Sequence, residues 1–137
     1  MVYGARWISS TSHSQCQWGG FGTPDGLFSD REAAYGIHGG DRETALMLHF
    51  HPDLVDMTQA VDFVSSAEAS EIPLIGPISY GWVSSDLNSA GTVGESHLAT
   101  AEKGAALCAH QVSGFIELLR KVQSQGLGEF TPTNRRF

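Results

Sequence analysis

The chain has 137 residues, which suits one small domain with a modest core. A formal charge of −7 and the lack of a basic stripe exclude nucleic acid as a partner, because a phosphate backbone would be repelled. Hydrophobic content of 41% and charged content of 17% are ordinary for a globular protein, and no apolar run is long enough to span a bilayer.

The first residues, MVYGARWISS, lack the charged start and apolar stretch of a signal peptide. Cys16 and Cys108 are far apart in sequence and form no disulfide framework, so they read as reduced thiols. Both features predict a cytoplasmic protein. The sixteen glycines cluster at Gly19, Gly20 and Gly22, at Gly36, Gly39 and Gly40, and at Gly91 and Gly94. That clustering predicts tight loops beside a site.

In chain order, residues 2–9 predict a strand with Val2, Trp7 and Ile8 buried. Residues 10–36, rich in Ser, Gly and Pro and without a period, predict a long loop. Residues 41–51, DRETALMLHFH, predict a helix, with Asp41 and Glu43 favouring its N-terminal dipole and Pro52 stopping it. Its Ala45, Leu46, Met47 and Leu48 make it apolar nearly all round and therefore well buried. Residues 53–64 look irregular, and a short helical stretch follows at 65–70. Pro73, Pro77 and four glycines then predict loop, with a short strand near Ile78–Val83. Residues 97–124 give the clearest period: Ala101, Ala105, Cys108, Val112, Phe115, Leu119 and Val122 predict one buried stripe of an amphipathic helix. Ser96 is its expected N-cap and Gly126 its expected stop, with a loose tail over 126–137. The order is α/β, with too few strands for a complete doubly wound sheet.

The segment Tyr35–Met57 carries the chemistry. His38 stands in a glycine-flanked turn, and Glu43 lies five residues on, in the first turn of the helix. A histidine and a carboxylate so placed suit proton transfer or metal ligation. Spacing alone favours a plainer reading, in which Glu43 complements the helix dipole and His38 faces solvent. His49 and His51 are two apart and cannot share a helix face. His97 and His110 share no face with Glu102, and Glu102 and Lys103 read as a solvated pair. Cys16 as a nucleophile lacks a visible His-Asp context.

The stretch IHGGDRETALMLHFHPDLVDM resembles the His-Ala/Gly-Gly-x-x-Glu-Thr-Ser/Ala stretch of creatininase-family proteins, which runs into a helix and then Pro-Asp/Glu-Leu-Val. GTVGESHLATAEKGAALCAHQV is similar to the family's Gly-x-x-Gly-Asp-Pro-x-x-Ala-Thr-x-Glu-Lys-Gly stretch, in the family's order and near its spacing. The resemblance implies the C-terminal half of a three-layer α/β/α fold with a mostly parallel sheet. It implies hydrolysis of a C–N bond in a small cyclic amide, formamide or related substrate at a two-metal centre of zinc, manganese or iron. By position, His38 matches the proton-transfer histidine and Glu43 the glutamate at or next to the metal. Gly39, Gly40 and Tyr35 are the expected substrate contacts. The resemblance also implies a homo-oligomer, or a complementing N-terminal half.

Three departures qualify it. The family's Gly-Ser-x-Glu-x-His and Asn-Gly-His-Gly-Gly-Asn type motifs are absent, and with them most of the roughly five ligands that two such metals need. Ala34 stands where creatinine-specific members carry a tryptophan, which argues against creatinine itself. Glu95 and Ser96 replace Asp-Pro, weakening any part that turn plays in shaping a site. The rival reading is a non-catalytic remnant that docks on a full-length relative. A weaker third is a cysteine-dependent enzyme at Cys16.

Overall fold

The computed structural model describes residues 16–125, so the expected strand at 2–9, the Gly126 stop and the tail lie outside the described residues. The described residues form four α-helices: α1 (Asp30–Tyr35), α2 (Asp41–Phe50), α3 (Ser84–Leu87) and α4 (Ala101–Ser124). Single 3-10 turns occupy Trp18–Phe21, Pro52–Leu54, Met57–Gln59, Ser66–Ala69 and Ser96–Leu98. Among the described residues there is no strand, only two isolated antiparallel bridges, His38 with Val93 and Phe63 with Gly94.

The α2 helix forms within one residue of its expected end, with Pro52 two residues beyond Phe50. The turn expected at 65–70 is the 3-10 segment Ser66–Ala69. The long loop contains α1, which a pattern search passes over because it is only six residues long. Ser29 caps it, its Oγ accepting from the Glu32 backbone N–H at 2.9 Å. No strand forms at 78–83. Ile78 and Val83 are exposed with no partner strand, and Asp86 takes the Val83 N–H at 3.0 Å to start α3 instead.

The expected N-cap of α4 moves four residues, from Ser96 to Thr100, whose Oγ1 accepts from Lys103 N at 3.2 Å. The contact face of α4 is also rotated by one residue from the apolar stripe. Gly104 and Leu107 are buried and Gln111, Gly114 and Leu118 half-buried, whereas Val112 and Leu119 stay about half exposed, at 51% and 50%. Two glycines explain the rotation. A Cβ on Gly104 would collide with the Ala45 carbonyl of α2, and one on Gly114 would come within 3.0–3.2 Å of the Phe21 side chain. Close approach of α2 and the 18–21 turn therefore selects the small-residue face. The α2 helix is also less buried than its composition suggests. Ala45 and Asp41 are buried, but Met47 and Phe50 are exposed.

Lys103 is not a solvated residue. Its Nζ pairs with the buried Asp41 carboxylate and donates to Leu98 O at 2.9 Å, pinning the start of α2 to the start of α4. Burial raises the Asp41 carboxyl above its ordinary value, and the Lys103 ammonium opposes that rise. A separate apolar cluster of Ala67, Leu74, Leu87 and Val93 packs against Tyr35, Ile37 and Trp82. Trp82 Nε1 donates to Leu74 O at 2.9 Å, which places this tryptophan in the core.

The element that joins α1, α2 and the 92–96 segment is Glu32. Its side chain is 1% exposed. One carboxylate oxygen accepts from Arg42 N at 3.1 Å and the other from Glu95 N at 2.9 Å. Arg42 N is a free donor of the first turn of α2, and Gly40 at the N-cap offers no side chain to take it. Glu32 thus caps α2 from ten residues upstream and adds a negative charge at its positive end. Gly36, Gly40 and Gly94 surround the carboxylate so closely that a Cβ on any of them would overlap it or the facing backbone. Around this clamp, Arg31 binds Asp62 and Glu68, each at 2.8 Å, and reaches Glu95 at 3.4 Å. Those carboxylates, Glu68 first and then Asp62, raise the Arg31 pKa further.

Two stability outcomes follow from these contacts. Glu32→Gln keeps the shape but turns an amide N–H₂ toward a backbone donor, and should cost about 1–3 kcal/mol, read as a lower melting temperature. An unchanged melt would show that the clamp carries little. Gly104→Ala would gain about 1 kcal/mol from helix propensity, yet the collision with α2 should cost about 1–3 kcal/mol. Net destabilisation is expected, and a stabilised variant would show that α2 and α4 do not cross at this point.

Candidate functional site

The turn between α1 and α2 presents His38, and its backbone is fixed on every side. His38 O accepts from Val93 N and from Thr92 Oγ1, both at 2.8 Å. Gly39 O accepts from Ser96 Oγ at 2.6 Å and Thr44 Oγ1 at 3.2 Å. Gly39 N donates to Glu43 Oε2 at 2.5 Å, a short charge-assisted bond. Gly39 sits at φ 69, and a Cβ there would also collide with the Thr92 hydroxyl, so glycine is required.

The turn brings the two expected residues together. His38 Nδ1 lies 4.0 Å from Glu43 Oε2, with the side chains 56% and 42% exposed. That distance is too long for a hydrogen bond between them. Both groups therefore keep a side open to a molecule arriving from solvent. The first turn of α2 places Glu43, and its bond to Gly39 N closes the loop back toward His38.

The other expected contacts separate. Gly39 lines a groove of about 700 Å³ with Glu43, Thr44, Trp18, Met47 and Phe50. Gly40 is buried against Glu32, so its lack of a side chain serves the clamp. Tyr35 lines a different hollow of about 390 Å³, with Ala34, Ala67 and Leu74. Trp18 is half exposed on the rim of the first groove.

Sequence reasoning missed Glu32 and Ser96. Glu32 stands among ordinary helix residues, and only its burial reveals it. The Glu95-Ser96 turn shapes this region directly. Glu95 N binds Glu32, the Glu95 carboxylate receives the Ser29 hydroxyl and faces Arg31, and Ser96 Oγ binds Gly39 O.

Among the described residues, no group of three or more His, Cys, Asp or Glu side chains is arranged to hold a metal ion. Metal sites of the expected type need about four ligands or more per ion, and Glu43 offers one carboxylate. The described residues do not fit a metal centre by themselves. No helix among them is long and apolar enough to cross a membrane.

Comparison with known proteins agrees with the motifs. The chain is similar to the solved structure of a putative creatinine amidohydrolase from Bacteroides fragilis NCTC 9343, at 26% identity and a TM-score of 0.60, over 82% of this chain and 43% of that one. It is similar in fold to a structure described as "Creatininase Mn", at 23% identity and a TM-score of 0.57, over 80% and 42%. A mutant creatininase complexed with creatine gives 24% identity and a TM-score of 0.55, over 79% and 42%. The chain thus spans about 43% of the length of the first of these. No curated protein matches it. A family model described as "Creatininase: Creatinine amidohydrolase" matches residues 3–119, most of the chain, and on that match the chain belongs to the creatininase family.

Proposed function

We propose that this chain is the part of a metal-dependent amidohydrolase that carries the proton-transferring histidine, acting on a C–N bond of a small cyclic amide, formamide or related substrate. The observation that carries the reading is the fixed turn that presents His38 beside Glu43, both open to solvent. An amide nitrogen leaves poorly unless it is protonated, and a histidine near neutral pH can deliver that proton. The Glu43 carboxylate lies 4.0 Å away on the same open side of the turn. Gly39, on the groove, keeps the turn narrow, which lets a substrate approach the backbone closely.

Glu43 is the single ligand the described residues would give a divalent zinc, manganese or iron ion. The remaining ligands come from residues outside the described ones, from a complementing N-terminal half or from a full-length copy. Exposed apolar residues on α2 and α4, among them Phe50, Val112 and Leu119, support an assembly with such a half or with further copies. A three-layer α/β/α sandwich with a mostly parallel sheet completes the fold in that assembly. A cytoplasmic location fits two reduced cysteines, Cys16 and Cys108.

The second reading, a non-catalytic half-domain that docks on a relative, is favoured by one observation: the lack of a three-ligand group among the described residues. Metal content separates the two. Joined to an N-terminal half that bears the two absent motifs, the chain should purify with near-stoichiometric metal. In that enzyme, His38→Ala should lower kcat about a hundred- to ten-thousand-fold with metal retained, and Glu43→Gln should lower metal content as well as rate. Loss of metal in His38→Ala would make His38 a ligand, and no change in either quantity would leave it a surface residue. The chain alone should bind zinc or manganese weakly, and a tight equimolar complex in calorimetry would contradict the single-ligand count.

A further inference from the structure

We infer that Thr92 and Ser96 are positioning residues for the His38–Gly39 turn, their hydroxyls holding the backbone that sets the His38–Glu43 separation. The inference rests on the reading of His38 and Glu43 as the working pair. Gly39 and Gly40 are consecutive, and two glycines in a row give a chain its greatest backbone freedom. Left alone, such a turn would exchange among several conformations, and the Gly39 N–H would point at Glu43 in only some of them. The structure removes that freedom with side-chain hydroxyls from a segment more than fifty residues away. Thr92 Oγ1 donates to His38 O at 2.8 Å, alongside the Val93 N–H at the same distance. Ser96 Oγ donates to Gly39 O at 2.6 Å. Successive carbonyls of the turn are thereby held, and the peptide between them keeps its N–H on Glu43 Oε2.

Ser96 spends its hydroxyl on this one bond while only 4% exposed. In a pattern with Asp-Pro at positions 95 and 96, a proline would stand there with no hydroxyl to donate. The clamp on Gly39 therefore belongs to this chain's own sequence and not to the motif it resembles. Thr92 adds a second function, because its side chain occupies the space that a Cβ on residue 39 would need. It thus enforces the left-handed glycine as well as anchoring the carbonyl before it. The imidazole of His38 is exposed and makes no hydrogen bond to the described residues that would fix it. Its place is set by the backbone it hangs from, so loosening the turn should move the imidazole relative to Glu43.

Hydrogen–deuterium exchange on the full chain, read by mass spectrometry, tests this without reference to catalysis. Ser96→Ala and Thr92→Val should each speed exchange in a peptide covering residues 36–43 about five- to tenfold, the effect of losing roughly 1 kcal/mol of hydrogen bonding. A peptide covering 105–118 in α4 should keep its rate. Thr92→Ser, which retains the hydroxyl, should behave as the unaltered chain. A uniform rise across both peptides would make the residues merely structural, and no rise in either would leave the hydroxyls idle. A Thr92→Ser variant that loosens as much as Thr92→Val would credit the methyl group; each of these three results overturns the inference. In the completed enzyme, Ser96→Ala should lower kcat with KM and metal content unchanged. An active parent with an equally active variant sinks the inference, whereas an inactive parent sinks the functional reading and leaves the exchange result to decide this one.

Discussion

A buried carboxylate organises this chain. Taking a carboxylate out of water costs several kcal/mol, and Glu32 is almost fully enclosed. Two backbone N–H groups offset that cost, at about 1.5–3 kcal/mol for each hydrogen bond to a charged group. The positive end of α2 adds up to about 2 kcal/mol in a partly buried geometry. The balance is close, so the geometry must be good, and three glycines are what make it good. Gly36, Gly40 and Gly94 bring three separate stretches of backbone to within van der Waals reach of one side chain.

From this clamp the site follows in order. Glu32 takes Arg42 N and so fixes where α2 begins. Where α2 begins decides that Glu43 lies in its first turn, and Glu43 then takes Gly39 N. On the other side Glu32 takes Glu95 N and so fixes the 92–96 segment. That segment returns Val93, Thr92 and Ser96 to the carbonyls of His38 and Gly39. One carboxylate therefore sets both halves of the frame around the histidine, and neither half contains it.

The parts legible in the sequence are those governed by neighbours in the chain. The α2 helix was readable because acidic residues, an apolar run and Pro52 lie within a dozen positions. Five residues, one turn and one helical turn, allow His38 and Glu43 to meet, yet spacing alone favours the plainer reading of a dipole carboxylate beside a solvent-facing histidine. The clustering of Gly36, Gly39 and Gly40 signalled close packing, though it could not say against what. Glu32, Thr92 and Ser96 act across ten to sixty-three residues, and their side chains are common types with ordinary local roles. Lys103 beside Glu102 looked like a solvated pair because its partner, Asp41, is sixty-two residues away. The strand expected at 78–83 failed for the same reason. A short stretch between glycines and prolines can run extended, but a strand also needs a neighbour, and the described residues supply none. Among the described residues no sheet forms, so the expected three-layer architecture rests on the resemblance alone.

The α4 helix shows most directly how pattern and packing diverge. Periodicity finds the stripe richest in apolar side chains, and that stripe runs through Val112, Phe115 and Leu119. Packing within the chain uses the adjacent stripe through Gly104, Leu107, Gln111 and Gly114, because glycine there lets α2 and Phe21 come close. Area alone would favour the larger side chains, at about 25 cal/mol for each Å² buried. Close approach wins because it also sets the Asp41–Lys103 pair in place and aligns the start of α2 with Glu32. Phe115 is drawn partly inward by the Phe21 ring, edge to face at 6.0 Å, while Val112 and Leu119 stay open. A helix of 24 residues is about 36 Å long, longer than the α2 helix and the 18–21 turn can cover. One stripe therefore packs within the chain, against α2 and the 18–21 turn, while the other, through Val112 and Leu119, stays half exposed.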